Sequence, residues 1–228
     1  MSNIEDNYNR LLDRILTACV ASNRDPRDIE LLAVSKTKSV DVITQAITLG
    51  LVQFGENYLQ EAVEKTQQLQ QYDLHWHFIG RIQSNKCKLI TDEFSWVQTL
   101  DRPKIATRLN RLHSKPDPLN VLIQVNLDAD ANKGGVDRVG AAELLEQLLS
   151  LPNLVPRGLM TILAKSTDSR AGYDSVAQLH LELGRQFASD LSQWDTLSMG
   201  MSADLEDAIN AGATMIRVGT DLFGARNS

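Results

Sequence analysis

Short apolar runs alternate with amphipathic segments along most of this chain. The run from Ile29 to Ser35 is apolar except at Glu30 and at its last residue, which is too continuous for a half-exposed strand and typical of one buried on both faces of a parallel sheet. The segments between such runs repeat apolar residues at helical spacing. The pattern predicts strands at 30–35, 51–54, 75–79, 95–99, 119–126, 154–161, 194–199 and 214–218. It predicts helices at 40–49, 57–71, 82–90, 101–113, 138–150, 171–190 and 203–211.

A long amphipathic helix is predicted ahead of the first strand. Ser2-Asn3-Ile4-Glu5 fits a capping box, and apolar residues then recur at helical spacing as far as Val20. Cys19 falls on this apolar stripe, so we expect it to be a buried, unreactive thiol.

The repeated alternation of strand and helix predicts a parallel sheet with right-handed crossovers. Eight such units in 228 residues fit a closed (β/α)8 barrel of the TIM type. An open, doubly wound sheet is the alternative, because the pattern does not reveal whether the sheet closes. We expect one domain over residues 1–228, since the one Pro-rich patch, Lys115-Pro116-Asp117-Pro118, is short enough to be a loop.

Composition narrows the classes of function. The chain is 43% hydrophobic and 23% charged, as in globular proteins, and its net charge of -6 argues against nucleic-acid or anionic-membrane partners. We find neither a signal peptide nor an apolar run long enough to span a bilayer. Cys19 and Cys87 suggest neither a disulfide framework nor a zinc site. A cytoplasmic protein is therefore expected.

Lys36 is the first candidate for chemistry. In a barrel, residues that follow the strands line the active face, and Lys36 directly follows the first strand. A lysine there is either a solvated strand end or an amine made nucleophilic by burial and neighbouring positive charge. Its spacing alone does not choose between these interpretations, nor between Lys36 and Lys38.

Two glycine-containing turns are candidates for binding an anion. In the first, Ser198-Met199-Gly200-Met201-Ser202 leads into a short helix with Ser202 as its expected N-cap and Gly212 as its expected stop. The second is Arg217-Val218-Gly219-Thr220. The loops after strands seven and eight of a barrel often bind phosphate, although ordinary turn chemistry is the alternative. Arg217 lies in an apolar strand and needs either a carboxylate or a ligand as partner.

Other polar groups carry weaker signals. His75 and His77 form an HxH pair without an evident third ligand, so no metal is predicted. Arg81, Lys86 and Lys88 are expected to form a solvated basic helix face. Lys133-Gly134-Gly135 is expected to be a flexible loop over the mouth of the barrel.

Seven motifs, in order along nearly the whole chain, resemble one family. They are Leu32-Ala33-Val34-Ser35-Lys36-Thr37-Lys38, Phe54-Gly55-Glu56-Asn57-Tyr58-Leu59-Gln60-Glu61, His75-Trp76-His77-Phe78-Ile79-Gly80, Gln83-Ser84-Asn85-Lys86, Arg157-Gly158-Leu159-Met160, Leu197-Ser198-Met199-Gly200-Met201-Ser202 and Arg217-Val218-Gly219-Thr220 with Phe223-Gly224. The chain is similar to the pyridoxal phosphate homeostasis proteins, also called the proline synthetase co-transcribed family. One departure is Arg81-Ile82, where many relatives have a proline or hydrophobic residue after the glycine; the role of Arg81 stays open.

The resemblance implies a barrel of PLP (pyridoxal 5′-phosphate) fold-type III, similar to the N-terminal domain of alanine racemases. It implies that Lys36 holds PLP as a Schiff base and that Arg217 contacts the pyridine nitrogen. Phosphate contacts are implied for Ser198, Gly219 and Thr220, with Ser202 as a helper, while Asn57 and His77 are expected to line the site.

The resemblance also implies a function in vitamin B6 homeostasis. PLP would be kept bound and released to PLP-dependent apo-enzymes by a monomer that is not itself an enzyme. The alternative is an amino-acid racemase, but racemases of this fold take a catalytic tyrosine from a second, C-terminal domain, and this sequence stops at Ser228. An arginine at the ring nitrogen also disfavours ring protonation, which makes the ring a weaker electron sink.

Overall fold

Eight parallel strands close into a barrel in the computed structural model, which describes residues 4–224. The strands follow one another around the barrel in chain order, and the last pairs with the first in the register Glu30↔Met215 to Ala33↔Val218. They are β1 Glu30–Val34, β2 Gln53–Glu56, β3 His75–Phe78, β4 Trp96–Leu100, β5 Leu119–Val125, β6 Leu154–Thr161, β7 Thr196–Ser198 and β8 Met215–Val218. This pairing confirms the closed (β/α)8 barrel over the open sheet.

Helices connect the strands and surround the barrel. They are α1 Ile4–Ala21, α2 Val40–Thr48, α3 Leu59–Gln68, α4 Cys87–Glu93, α5 Pro103–Leu112, α6 Arg138–Leu149, α7 Ser169–Gln186, α8 Leu205–Asn210 and α9 Thr220–Phe223. Short 3-10 turns lie at Pro26–Asp28 and Ser84–Lys86. Helix α1 buries Leu11, Ile15 and Cys19, so Cys19 is buried as expected.

The strands are buried on both faces, as their continuous apolar runs predicted. Every residue of β4 is buried, and six of the seven residues of β5 are buried. The second strand was placed too early, at 51–54, because Glu56 interrupts the apolar run and obscures the strand end. In the structure Glu56 is inside β2 and fully buried.

Helix boundaries near the predicted anion-binding turns also differ from expectation. Helix α8 begins at Leu205 after Asp204, so Ser202 is not its N-cap, whereas Gly212 at φ +106° does end the helix. Helix α9 was not predicted, because only four residues form it. The predicted helix at 82–90 divides into the 3-10 turn at 84–86 and α4. Of the predicted capping box, Ser2 and Asn3 lie outside the described residues.

Two searches of residues 4–224 bear on the wider class of protein. None of their helices is both long and apolar enough to cross a bilayer. Within the same residues, no three His, Cys, Asp or Glu side chains are grouped so as to hold a metal ion.

Candidate functional site

Lys36 lies at the carboxyl end of β1, directly beside the end of β8. Because Ala33 pairs with Val218, the turn carrying Lys36 and the segment beginning at Gly219 leave the barrel as neighbours. A Cβ atom on Gly219 would come within 3.2 Å of the Val34 carbonyl oxygen, so glycine permits this close approach of the two strand ends. Lys36 itself is half-buried. The structure thus brings the predicted lysine and one predicted anion-binding turn together.

Hydrogen bonds fix the backbone on both sides of Lys36. Thr37 adopts φ +64°, a left-handed conformation that a β-branched residue rarely takes, and its N–H donates to Glu61 Oε1 at 2.5 Å. On the other side, the Ser35 hydroxyl donates to Glu56 Oε1 at 2.7 Å. The lysine therefore stands between two anchored residues.

A buried ammonium group joins these anchors. Lys65 is 4% exposed, and its Nζ donates to the Ser35 carbonyl at 2.7 Å, to Glu56 Oε1 at 2.6 Å and to Glu61 Oε1 at 2.5 Å. Burial raises the pKa of Glu56, against the opposing effect of Lys65. We call Glu56, Glu61 and Lys65 the turn clamp, because all three bond to residues flanking Lys36.

Removing the clamp lysine is expected to destabilise the protein strongly. A Lys65→Met variant leaves Glu56 buried without its cation, and breaking a buried pair from one side costs about 3 kcal/mol or more. Denaturant unfolding of the apo-protein measures this free energy. Lys88→Met is the matched control, because Lys88 also pairs with a carboxylate but is 56% exposed, so its loss costs less than about 1 kcal/mol. Equal losses in the two variants would contradict the role given to the clamp.

Arg217 projects into the barrel interior. The residue is 5% exposed; its Nη1 donates to Ser198 Oγ at 2.9 Å and its Nη2 to the Thr161 carbonyl at 2.7 Å. Burial lowers the pKa of the guanidinium to about 10, which leaves it charged at neutral pH. Among the described residues no carboxylate forms a salt bridge with it. Of the two partners considered from sequence, the carboxylate is therefore not found.

A chain of hydrogen bonds continues from Arg217 across the interior of the barrel. The Ser198 hydroxyl donates to Gln98 Oε1 at 2.8 Å, Gln98 Nε2 lies 2.9 Å from His77 Nδ1, and His77 Nε2 lies 2.7 Å from Gln53 Oε1. These bonds form one consistent series when His77 is neutral and carries its proton on Nε2. We call these residues the interior chain.

The interior chain contains two residues that the sequence predicted to be in the site. Ser198 and His77 are both fully buried, and both use their polar atoms within this chain. The phosphate contact of Ser198 and the lining role of His77 stay predictions, while in the structure both residues belong to the series of hydrogen bonds that ends at Arg217. Alternation along a strand identifies inward-facing residues, but it does not separate the mouth of a barrel from its interior.

The protonation of His77 predicts a pH dependence of stability. Burial lowers the pKa of His77 well below 6.5. Below about pH 6.5 this imidazole is therefore protonated in the unfolded chain but stays neutral in the folded chain. Stability is consequently lost as pH falls, by about 2 kcal/mol between about pH 7 and about pH 5 from this residue alone. In unfolding measurements at both pH values, His77→Gln should lack this part of the loss. His75→Gln, at an exposed position of the same strand, should retain it.

A cavity of about 400 Å³ opens at the mouth of the barrel beside the strand ends. Its lining includes Asn57, Arg81, Arg102 and Lys133. The Oδ1 atom of Asn57 is buried without a hydrogen-bond partner among the described residues, so it is an acceptor available to a ligand. Lys133 and Gly134 reach this cavity as expected for a loop at the mouth, while Arg81 is exposed at the rim.

The other expected anion-binding residues lie in two turns that meet outside β7 and β8. Gly200 has φ +90° and a Cβ there would be 2.5 Å from Ala208 Cβ, so only glycine fits the first turn. Ser202 follows in the same turn, half-buried, and its Oγ accepts a long 3.4 Å hydrogen bond from the N–H of Asp221. Thr220 is exposed beside Gly219 in the second turn. The structure therefore joins Ser202, Gly219 and Thr220 at one place.

Sequence reasoning missed the turn clamp and Gln98. Glu56 could have signalled the clamp, since a carboxylate inside an apolar strand requires a partner. Glu61 and Lys65 also stand at the i, i+4 spacing that pairs charges on a helix. Gln98, which follows the apolar pair Trp96-Val97 in a predicted strand, could have been recognised as an inward polar residue in the same way.

One family model and several named proteins match this chain over nearly its whole length. The family described as "Alanine racemase, N-terminal domain" matches residues 3–227. The Haemophilus influenzae protein named pyridoxal phosphate homeostasis protein is 46% identical over 230 residues, which cover 99% of this chain and 97% of that protein. The Escherichia coli protein of the same name is 43% identical over 234 residues, covering 100% of this chain and 98% of that protein.

Solved structures with a similar fold include a protein with PLP bound and an alanine racemase. PipY of Synechococcus elongatus, with PLP bound, is 35% identical with a TM-score of 0.82, covering 93% of this chain and 99% of PipY. An alanine racemase of Clostridium difficile shares the fold at 15% identity and a TM-score of 0.76, and the match covers 58% of the racemase chain. With a family model, close relatives and a solved structure all matching over nearly its whole length, this chain belongs to the pyridoxal phosphate homeostasis proteins, within the alanine racemase N-terminal domain family.

Proposed function

We propose that this protein binds PLP covalently through Lys36 and acts in PLP homeostasis, by holding the cofactor and passing it to PLP-dependent apo-enzymes. The observation that carries the proposal is that Lys36 follows β1 while Gly219-Thr220 follow β8, the neighbouring strand, which also carries Arg217. The names of the relatives and the PLP bound in PipY support it.

The charge and hydrogen bonding of Arg217 fit the pyridine ring of PLP. A guanidinium has five N–H donors, and the structure records one bond to a hydroxyl and one to a backbone carbonyl. Donors therefore remain for a ring nitrogen, which is an acceptor. Because Arg217 keeps its own proton at neutral pH, it would leave the nitrogen unprotonated.

The two turns fit the phosphate group. Ser202 offers a hydroxyl, Gly219 allows close approach to its backbone, and Thr220 offers an exposed hydroxyl at the same place. Asn57, which follows β2, provides at the mouth cavity a buried acceptor that has no hydrogen-bond partner among residues 4–224. These residues are the PLP contacts that we propose. Ser198 holds Arg217 by a hydrogen bond, and His77 acts on it indirectly through Gln98 and Ser198.

PLP, when bound, supplies an aldehyde that reacts reversibly with amines. Lys36 provides the amine, and the turn clamp orients the backbone on either side of it. An arginine at the ring nitrogen weakens the ring as an electron sink, which opposes reactions such as racemisation that pass through a carbanion. We therefore propose a carrier in preference to an amino-acid racemase.

The proposal also covers the protein's partners, its oligomeric state and its location in the cell. We propose that PLP-dependent apo-enzymes are its partners and that it acts as a monomer in the cytoplasm, where its two free, buried cysteines stay reduced. Size-exclusion chromatography with light scattering tests the monomer directly.

Transfer of PLP to an apo-enzyme tests the function itself. The protein loaded with PLP is mixed with an apo-enzyme, and recovery of enzyme activity is compared with recovery from the same amount of free PLP. Both mixtures are measured with and without a phosphatase that hydrolyses free PLP. A carrier should restore activity while protecting PLP from the phosphatase. Failure to restore activity would contradict delivery, and exchange of amino-acid α-protons in heavy water at enzyme-like rates would favour the racemase alternative.

A further inference from the structure

Arg14, in the middle of α1, contacts both turns that the proposed function assigns to phosphate. Its Nε and Nη2 donate to the two carboxylate oxygens of Glu206 at 2.7 and 2.9 Å. The same Nη2 donates to the Ser202 carbonyl at 2.9 Å, and Nη1 donates to Asp221 Oδ2 at 2.5 Å. One guanidinium thus joins three groups that follow two different strands.

Backbone pairing fixes the bases of the two turns, where the N–H of Arg217 donates to the Gly200 carbonyl at 3.0 Å, but it does not reach their outer ends at Ser202 and Asp221. Between them the structure records the 3.4 Å bond from the Asp221 N–H to Ser202 Oγ, which is near the limit for a hydrogen bond. Ser202 lies in the turn after β7, whereas Asp221 immediately follows Gly219 and Thr220 after β8. A guanidinium is planar and holds its donors in a rigid fork, so it sets the separation of the groups it bridges.

Helix α1 is itself held against the second turn. The buried Asn7, about two helical turns before Arg14 in α1, donates through Nδ2 to the Leu222 carbonyl at 2.9 Å. The fork of Arg14 therefore extends from an anchored helix. Its own side chain is 34% exposed, and those of Glu206 and Asp221 are 42% and 37% exposed. Its loss should consequently leave the fold intact.

We propose that Arg14 is a positioning residue for the phosphate end of the site, setting the distance between the Ser202 turn and the Gly219–Thr220 turn. The inference rests on the proposed function, since it assumes that these turns receive the phosphate of PLP. It assigns to the N-terminal helix, which lies outside the repeated strand-helix units, a part in choosing the ligand.

Comparison of two ligands isolates this role. PLP and pyridoxal share the ring and the aldehyde, but pyridoxal lacks the phosphate. Arg14→Met should weaken PLP binding about fivefold, the scale of a partly exposed ion-pair network, and should leave pyridoxal binding unchanged. Arg14→Lys keeps the charge without the fork and should recover less than half of the loss, expressed as free energy.

Arg138→Met is the matched control. Arg138 is another partly exposed arginine with three contacts, to Glu182, the Ser175 carbonyl and the Ser175 hydroxyl. It begins α6 and bonds only to residues of α7 in these three contacts. Its loss should change neither affinity. Thermal unfolding of each apo-variant verifies that the fold is kept.

The outcomes separate the two levels of the proposal. Equal weakening of PLP and pyridoxal in Arg14→Met, or no weakening of either, would overturn the positioning role while leaving the proposed function in place. A wild-type protein that binds PLP no better than pyridoxal would instead overturn the phosphate assignment, and the role of Arg14 with it.

Discussion

Replacing Lys36 with alanine is expected to abolish covalent attachment of PLP and to weaken its binding about a hundredfold, or about 2.7 kcal/mol. The reason is chemical, since the variant removes the amine that reacts with the aldehyde while Arg217 and the two turns keep their positions. The turn clamp bonds to the Ser35 hydroxyl, the Ser35 carbonyl and the Thr37 N–H, all of which the variant keeps, so the fold should persist. Visible absorption of the loaded protein and titration with PLP measure the two effects.

Lys38→Ala provides the control for Lys36→Ala. Lys38 is two residues away, and its Nζ donates to the carbonyls of Phe223 and Gly224, each at 3.2 Å. Its replacement should retain the visible band of bound PLP. A Lys36→Ala variant that keeps the band while Lys38→Ala loses it would reverse the assignment of the two lysines.

Replacing Arg217 with methionine is expected to weaken PLP binding by roughly tenfold to a hundredfold, the range for a lost hydrogen bond to a charged group. The free energy of unfolding of the apo-protein should change little or even rise, because Arg217 is buried with no carboxylate partner within residues 4–224, and an apolar side chain of similar length removes the cost of burying its charge. The affinity for PLP should therefore fall in this variant without a loss in the free energy of unfolding. Titration with PLP and denaturant unfolding of the apo-protein measure the two.

Arg157→Met is the matched barrel control. Arg157 also lies in a strand, but its guanidinium carbon is 4.7 Å from the ring centroid of Trp96, the first residue of β4, so it reaches toward the amino ends of the strands and away from the site. It also pairs with Asp195 at 2.7 Å, so its loss should lower stability and leave PLP affinity unchanged. An Arg217→Met variant that lost stability and kept its affinity would mark Arg217 as purely structural.

The fold was predictable because parallel strands carry a strong signal. A continuous apolar run such as Leu31 to Val34 marks a strand buried on both faces, and the regular alternation with helices fixes the parallel topology. Closure was not predictable, because it depends on the pairing of β1 with β8 across almost the whole chain. No local pattern records that contact.

The site was predictable to the level of strand ends, but not to the level of side-chain contacts. Lys36 follows its strand, so topology alone placed it at the mouth of the barrel. The interior position of His77 and Ser198 depends on how far each strand extends into the barrel, which alternation does not report. The turn clamp and the bridge formed by Arg14 depend on how α3 and α1 pack, so apart from Glu56 their charged residues resembled an ordinary solvated surface.

Reduction of the PLP-loaded protein with borohydride, followed by peptide mapping, tests the covalent role of Lys36 most directly. Reduction makes the bond between the cofactor and its lysine permanent, and mass spectrometry then identifies the labelled residue. The proposed function predicts one equivalent of label on the peptide containing Ser35-Lys36-Thr37, with the added mass on Lys36. Label on Lys38, on Lys65 or on no lysine at all would contradict it.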